Sequence, residues 1–284
     1  MAQSSLNPPL CKPTFDLSGR VFVITGGTQG LGLAIARTLK EQGASGLALV
    51  SRSVEKGTSA CALLDDSNCR CIHIKADLGN ASEACSVMAT AAEQFKELAP
   101  ISGVVNAAAL TARGNLFTET ADGFDRQMAV NVRAPFLITQ AAAKHMVEHA
   151  VTNGSIVNIG SCAAYGGAPF VMAYSASKAA LAAMTKTHAT ELASKQIRVN
   201  AINMGWCYTD NEDALQSARD GQQWIQAADA GVPLGRILRP EDTACTVAFL
   251  LSRASSMMTG SVLELHPEFP HGMISTVDDE EKGR

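Results

Sequence analysis

Val21-Phe22-Val23-Ile24-Thr25-Gly26-Gly27-Thr28-Gln29-Gly30-Leu31-Gly32 is the stretch that decides the fold. Five residues of strand character run into a glycine cluster, and residues 31–42 then carry apolar side chains at helical spacing. Glycine permits positive φ in such a turn, keeps side chains away from a pyrophosphate, and leaves backbone N–H groups at a helix N-terminus aimed at the anion. A glycine cluster alone is an ordinary tight turn; a strand before it and a helix after it point to a dinucleotide loop. Gly26, Thr28, Gln29, Gly30, Leu31 and Gly32 are the candidate contacts.

The same rhythm continues outward. Strand-like runs at residues 21–25, 46–51, 71–76, 101–106, 155–160, 197–202 and 261–265 alternate with Ala- and Leu-rich helical stretches at 31–42, 81–98, 124–147, 174–195 and 240–252. The alternation predicts an α/β fold, a single doubly wound Rossmann-type domain with a seven-stranded parallel sheet and helices on both faces. No linker or internal repeat interrupts it. The expected domain spans residues 18–268, after an extension at 1–17 and before a tail at 269–284. Residues 209–233 are polar, carry Trp224 and break the rhythm, and are read as a substrate lid.

Composition narrows the function classes. The 284 residues are 46% hydrophobic but only 5% aromatic, which predicts an aliphatic core of close-packed helices on a parallel sheet. A net charge of -4 gives no basic stripe for a nucleic-acid backbone. Eight cysteines are scattered, and the close pair Cys69 and Cys71 lacks the spacing of a metal knuckle or a CxxC site. The thiols are expected to be reduced, and no metal is expected. No apolar run reaches the ~18 residues of a membrane span, and the first 19 residues lack a signal-peptide pattern. The expectation is a cytoplasmic protein with no membrane contact.

Two further signals carry chemistry. At the end of the second strand stand Ser51 and Arg52, where dinucleotide folds meet the adenosine ribose. A carboxylate there would accept from a 2′-hydroxyl; a guanidinium instead favours a 2′-phosphate. NADP is therefore the preferred cofactor. NAD stays open, because Ser51 leaves room for an unphosphorylated ribose, Arg52 can stack on adenine, and most arginines are merely solvated. Tyr174-Ser175-Ala176-Ser177-Lys178 places Tyr174 and Lys178 on one helical face, with Ser161 at the end of the preceding strand. A phenol with an ordinary pKa near 10 needs a neighbouring ammonium and a cationic nicotinamide to ionise near neutrality.

These residues together resemble the short-chain dehydrogenase/reductase family, over roughly residues 17–265. The family's TGxxxGxG pattern matches residues 25–32. Its adenine-contacting aspartate falls on Asp77, beside Leu78, and its NNAG pattern is altered to Asn106-Ala107-Ala108-Ala109. The family's catalytic residues fall on Asn131, Ser161, Tyr174 and Lys178. The resemblance implies that Ser161 holds the substrate oxygen, Tyr174 exchanges the proton, Lys178 binds the nicotinamide ribose, and Asn131 holds a water on the proton path. The implied reaction is hydride transfer between a nicotinamide and a small carbonyl or secondary-alcohol substrate. A non-catalytic cofactor-binding protein is the alternative from another class.

Two departures from the family pattern are visible. Met204-Gly205-Trp206-Cys207-Tyr208-Thr209 replaces the usual Pro-Gly entry, leaving Gly205, Cys207 and Thr209 as cofactor contacts and Trp206 as a substrate contact with Ser161, Ala163 and Tyr165. His266-Pro267 stands where the family ends Asp-Gly-Gly. Phe170 and Met172 fit a substrate wall or the core, and Trp206, Tyr208 and Trp224 a substrate ring or the lid's anchor. The long helices at 124–147 and 174–195 match those that pair between family subunits, so a homotetramer or homodimer is expected.

Overall fold

The computed structural model describes residues 15–267. Most of the predicted extension, and the predicted tail at 269–284, lie outside the described residues.

Seven parallel strands form one sheet among the described residues: β1 (Val21–Thr25), β2 (Gly46–Ser51), β3 (Arg70–Lys75), β4 (Ile101–Asn106), β5 (Gly154–Ile159), β6 (Ile197–Met204) and β7 (Val262–Leu265). Their order is β3-β2-β1-β4-β5-β6-β7. The order reverses beside β1, which opens a crevice at the carboxyl ends of β1 and β4.

Both faces of the sheet are covered. Phe22, Ile24, Leu47 and Leu49 point into one core with α1 (Gly30–Glu41), α2 (Val54–Leu64) and, from the far end of the chain, Pro240–Leu251. Val21, Val23, Ala48 and Val50 point into the other, against α3 (Ala81–Gln94) and later helices. Strict alternation between two apolar layers is why these strands read as continuous hydrophobic runs. Gly103 gives Phe22 its room, since a β-carbon there would fall 2.5 Å from the ring.

The sequence reading misses α2 and misjudges the helix expected at 124–147. That region is α4 (Ala121–Met128), a π-helical turn (Ala129–Arg133) and α5 (Ala134–Glu148). In that turn Ala134 N–H bonds Ala129 O, five residues back, so the helix widens around Asn131. Beyond it come α6 (Met172–Leu192), α7 (Asp210–Asp220), α8 (Trp224–Ala230) and α9 (Pro240–Leu251). The segment at 209–233 is thus largely helical.

Candidate active site

The glycine turn is shaped by backbone contact. Gly26 has φ +69° and Gly30 φ +48°. A β-carbon on Gly32 would fall 2.2 Å from the Gly26 carbonyl oxygen, so only glycine lets α1 start this close to β1. Thr25 braces the neighbouring loop, its hydroxyl accepting from the N–H groups of Ala107 at 3.0 Å and Ala108 at 3.1 Å.

This turn borders a cleft of about 920 Å³ that brings together Gly26, Thr28, Gln29, Gly30, Leu31, Gly32, Ser51, Arg52, Asp77, Leu78, Ala107, Ala108 and Thr209. Asn106 is placed elsewhere: its buried amide donates to Asn158 Oδ1 at 2.8 Å and knits β4 to β5. Gly205 N–H bonds Leu265 O at 2.9 Å, Cys207 is buried, and neither lines the cleft.

The rim of the cleft carries Arg52 and Lys56, with Glu55 between them in sequence. Arg52 is exposed, and Lys56, in the first turn of α2, bonds Gln29. Lys56 is not among the residues expected from sequence, because α2 has no local signal there beyond its N-cap Ser53. Nor is Arg126 of α4, which lines the cleft and grips both carboxylate oxygens of Asp77 at 2.9 Å. That guanidinium holds the Asp77 carboxyl below the usual carboxylate range. Ser51 is half-buried, with its hydroxyl 2.9 Å from His73 Nε2.

None of the predicted tetrad lines this cleft, which reaches it through Leu110, a partner of Asn131. Ser161 caps a 3₁₀ turn after β5, its oxygen accepting from Ala163 N–H at 3.1 Å, and its hydroxyl acts on the Tyr174 phenol in the direction that favours ionisation. Tyr174 and Lys178 follow on α6. Lys178 is 2% exposed and donates from Nζ to Ile159 O at 2.7 Å. Loss of solvent pushes the phenol up to about 12 and the lysine down to about 8. Asn131 is buried in the π-helical turn. Its amide donates to Leu110 O at 2.9 Å and Ser177 Oγ at 3.0 Å, while its oxygen accepts from Leu110 N–H at 2.8 Å.

The predicted substrate residues scatter around this group. Ala163 is buried beside Ser161, and Tyr165 is exposed with its hydroxyl on Glu264. Trp206 lies 5.4 Å from the Trp224 ring and donates to Glu212 Oε1 at 2.8 Å. With Tyr208, Val232 and Ile237 it forms a small separate core under α7 and α8. Phe170 is exposed and Met172 half-buried, so neither belongs to the core. Among the described residues no three His, Cys, Asp or Glu side chains gather to hold an ion, and no helix is long and apolar enough to cross a membrane.

Known proteins share this arrangement. A family model described as Enoyl-(Acyl carrier protein) reductase matches residues 26–265. The chain is 34% identical to 2-(S)-hydroxypropyl-CoM dehydrogenase 3 of Xanthobacter autotrophicus over 86% of this chain and 94% of that one. It is 32% identical to dehydrogenase/reductase SDR family member 4 of Mus musculus over 87% of this chain and 86% of that one. Among solved structures, a blue fluorescent protein from a metagenomic library, in complex with NADPH, superposes with a TM-score of 0.79 at 33% identity, covering 90% of this chain and 99% of that one. With the parallel sheet, the glycine turn and the Ser161–Tyr174–Lys178 group in place, these matches make the chain a member of the short-chain dehydrogenase/reductase family, oxidoreductases acting on CH–OH and C=O groups.

Proposed function

We propose that this chain is an NADP(H)-dependent oxidoreductase that reduces a carbonyl, or in reverse oxidises a secondary alcohol, with Tyr174 as the proton-transfer residue. The observation that carries this reading is the buried Lys178 ammonium standing over the Tyr174 ring, one helical turn along α6, with Ser161 acting on the same phenol.

The cleft fits a dinucleotide. Its glycine turn keeps the N-terminus of α1 at the cleft wall, because Gly32 leaves no β-carbon to strike the Gly26 carbonyl. Arg52 and Lys56 offer positive charge at the rim where a 2′-phosphate would lie, and no carboxylate occupies position 51 to favour an unmodified ribose. A nicotinamide bound in the cleft supplies or accepts the hydride.

The protein's own residues handle the proton. A phenol held protonated by its surroundings is a ready donor to an oxygen that gains negative charge as the carbonyl is reduced. Ser161 has a hydroxyl hydrogen to orient that oxygen beside Tyr174. Lys178, charged at neutral pH, places its ammonium near the phenol and stabilises the phenolate left after transfer. Both amide hydrogens of Asn131 are engaged, so a water on the proton path would sit on its main-chain oxygen, next to the widened turn.

A screen of ketones and aldehydes with NADPH, followed by loss of reduced-nicotinamide absorbance, tests this reading. Turnover that disappears in Tyr174→Phe supports it. Tight NADPH binding with no turnover on any carbonyl or alcohol would move the reading to a cofactor-binding protein.

A further inference from the structure

Helix α2 rests on β3 through two contacts one helical turn apart. A β-carbon on Gly57 would fall 2.2 Å from the His73 ring. Four residues further on, Cys61 faces Cys71, with the two sulfurs 3.6 Å apart. Residues 57 and 61 share a helix face, and 71 and 73 share a strand face, so the register of α2 on β3 sets the sulfurs opposite each other. A further bond fixes the pair: Cys71 N–H donates at 2.7 Å to Oδ1 of Asp65, the C-cap of α2.

The two thiols are unequal. Cys61 is half-buried and open to small solutes, whereas Cys71 is only 7% exposed. Cys71 donates its S–H to the Cys61 sulfur, which favours the Cys61 thiolate, while that same bond and burial keep Cys71 protonated. The cofactor and the proposed proton path use neither thiol. Yet α2 carries Glu55, Lys56, Ser59 and Leu63 on the cleft wall, so the pair lies beneath a helix of the candidate site.

We propose that Cys61 and Cys71 form an oxidisable dithiol, a modification site for hydroperoxides that closes to an intramolecular disulfide tying α2 to β3. The Cys61 thiolate attacks the terminal peroxide oxygen; the O–O bond breaks, an S–O bond forms, and the departing alkoxide or hydroxide takes up the proton that Cys61 released, leaving as alcohol or water. The Cys71 sulfur then attacks the Cys61 sulfur. The S–S bond forms, the S–O bond breaks, and hydroxide leaves with the Cys71 proton as water. The two thiols lose two electrons and two protons, and the peroxide gains both. Closure shortens the sulfur separation to ~2.05 Å, a movement of about 1.5 Å that thiol rotation and a small settling of α2 supply. A dithiol reductant reverses the bond.

The test treats the full chain with one equivalent of hydrogen peroxide, alkylates the remaining thiols, and maps peptides by mass. The expected product is lighter by two hydrogen atoms, joins the peptides holding Cys61 and Cys71, and reverts with dithiothreitol. Cys61→Ser and Cys71→Ser each abolish the linked peptide, and in Cys71→Ser the Cys61 peptide gains oxygen instead. Should these variants fold poorly, alkylation of the wild-type protein decides alone. Retention of alkylatable Cys61 and Cys71 while the exposed Cys85 and Cys245 oxidise would overturn the proposal, as would accumulation of sulfinic acid at Cys61.

Discussion

The Lys178 ammonium stands over the ring of Tyr174, 5.5 Å from its centroid, and is anchored by its bond to Ile159 O. The phenol is thereby paired with a cation whose position does not depend on solvent. Tyr174→Phe keeps the ring and this packing but removes the transferable proton. It is expected to retain NADPH affinity and to lose at least ~100-fold in kcat, the scale of a positioned general acid. Fluorescence titration and steady-state kinetics measure the two separately, and unchanged kcat would remove Tyr174 from the mechanism.

Lys178 costs the cofactor-free protein stability. Below pH 8 it is charged folded and unfolded, and the folded chain bears the burial of that charge. Between about 8 and its ordinary 10.5 the folded chain sheds the proton first, so stability rises with pH across that window. The full effect is on the order of 3 kcal/mol. Lys178→Met, which forfeits the bond to Ile159 O, is expected to gain ~1–3 kcal/mol in urea unfolding at pH 7 and to lose activity. Parallel stability-against-pH curves for wild type and variant would refute this account.

Two glycines of the same turn are expected to respond differently to alanine. At Gly32 the new carbon meets backbone atoms of Gly26 and Gly27 at 2.2–3.0 Å, and backbone cannot rotate away. Gly32→Ala should destabilise by ~1–3 kcal/mol and weaken dinucleotide binding at least ~10-fold. At Gly30 the nearest atom is the Thr209 β-carbon at 3.7 Å, so Gly30→Ala meets only the cost of positive φ, ~1–2 kcal/mol. Equal binding defects in the two variants would contradict this distinction.

The sheet was legible because strands buried on both faces, such as Val21–Thr25, leave uninterrupted apolar runs. The candidate pair Tyr174 and Lys178 was legible because both lie on one helix at fixed spacing. The π-helical turn at Asn131 was not, since a hydrogen bond to the fifth residue instead of the fourth leaves no mark in composition. Helix α2 was hidden by Gly57 and by its polar Glu55, Lys56, Thr58 and Ser59, which mask its short buried stripe of Gly57, Ala60 and Leu64. Cys61 and Cys71 come together only through that helix. Trp206 suited a substrate ring or an anchor equally well in sequence, and its contact with Trp224 exists only once the lid is folded.

The Trp206–Trp224 cluster is expected to be a local folding unit. Trp224 is 5% exposed and donates from Nε1 to Asp213 Oδ1 at 2.8 Å, tying α8 to α7. Trp224→Ala should speed amide exchange and proteolysis in residues 209–235 while the strands keep their protection. Equal loss of protection across β1 and β4 would show instead that the lid and sheet unfold together.

A partner surface is expected on α4 to α6. Phe124 and Phe136 are 37% and 41% exposed there, and Phe136 borders a hollow with Met128, Val132 and Met184. Light scattering is expected to give a dimer or tetramer, and Phe136→Glu to shift it toward the 29.7 kDa monomer. A wild-type monomer at micromolar concentration would exclude this.

Cofactor choice turns on the rim of the cleft, where two cations, Arg52 and Lys56, stand with one carboxylate, Glu55. Arg52 and Lys56 both line the cavity, and a guanidinium bonded to a 2′-phosphate contributes ~1.5–3 kcal/mol, roughly ten- to hundredfold in affinity. Ser51 is held by His73, so a carboxylate at position 51 would gain a partner that keeps it aimed at the ribose. In Ser51→Asp/Arg52→Leu the attraction for the phosphate is removed, a repulsion is added, and the 2′-hydroxyl of NAD gains an acceptor. Preference should invert, because specificity draws on the repulsive element as well as the attractive one. Lys56→Ala alone should weaken NADPH and leave NADH nearly unchanged. Fluorescence titration of both cofactors against wild type and variants reads these effects directly. Wild-type affinity for NADH equal to that for NADPH would assign Arg52 to solvent and the enzyme to the NAD-dependent members of its family.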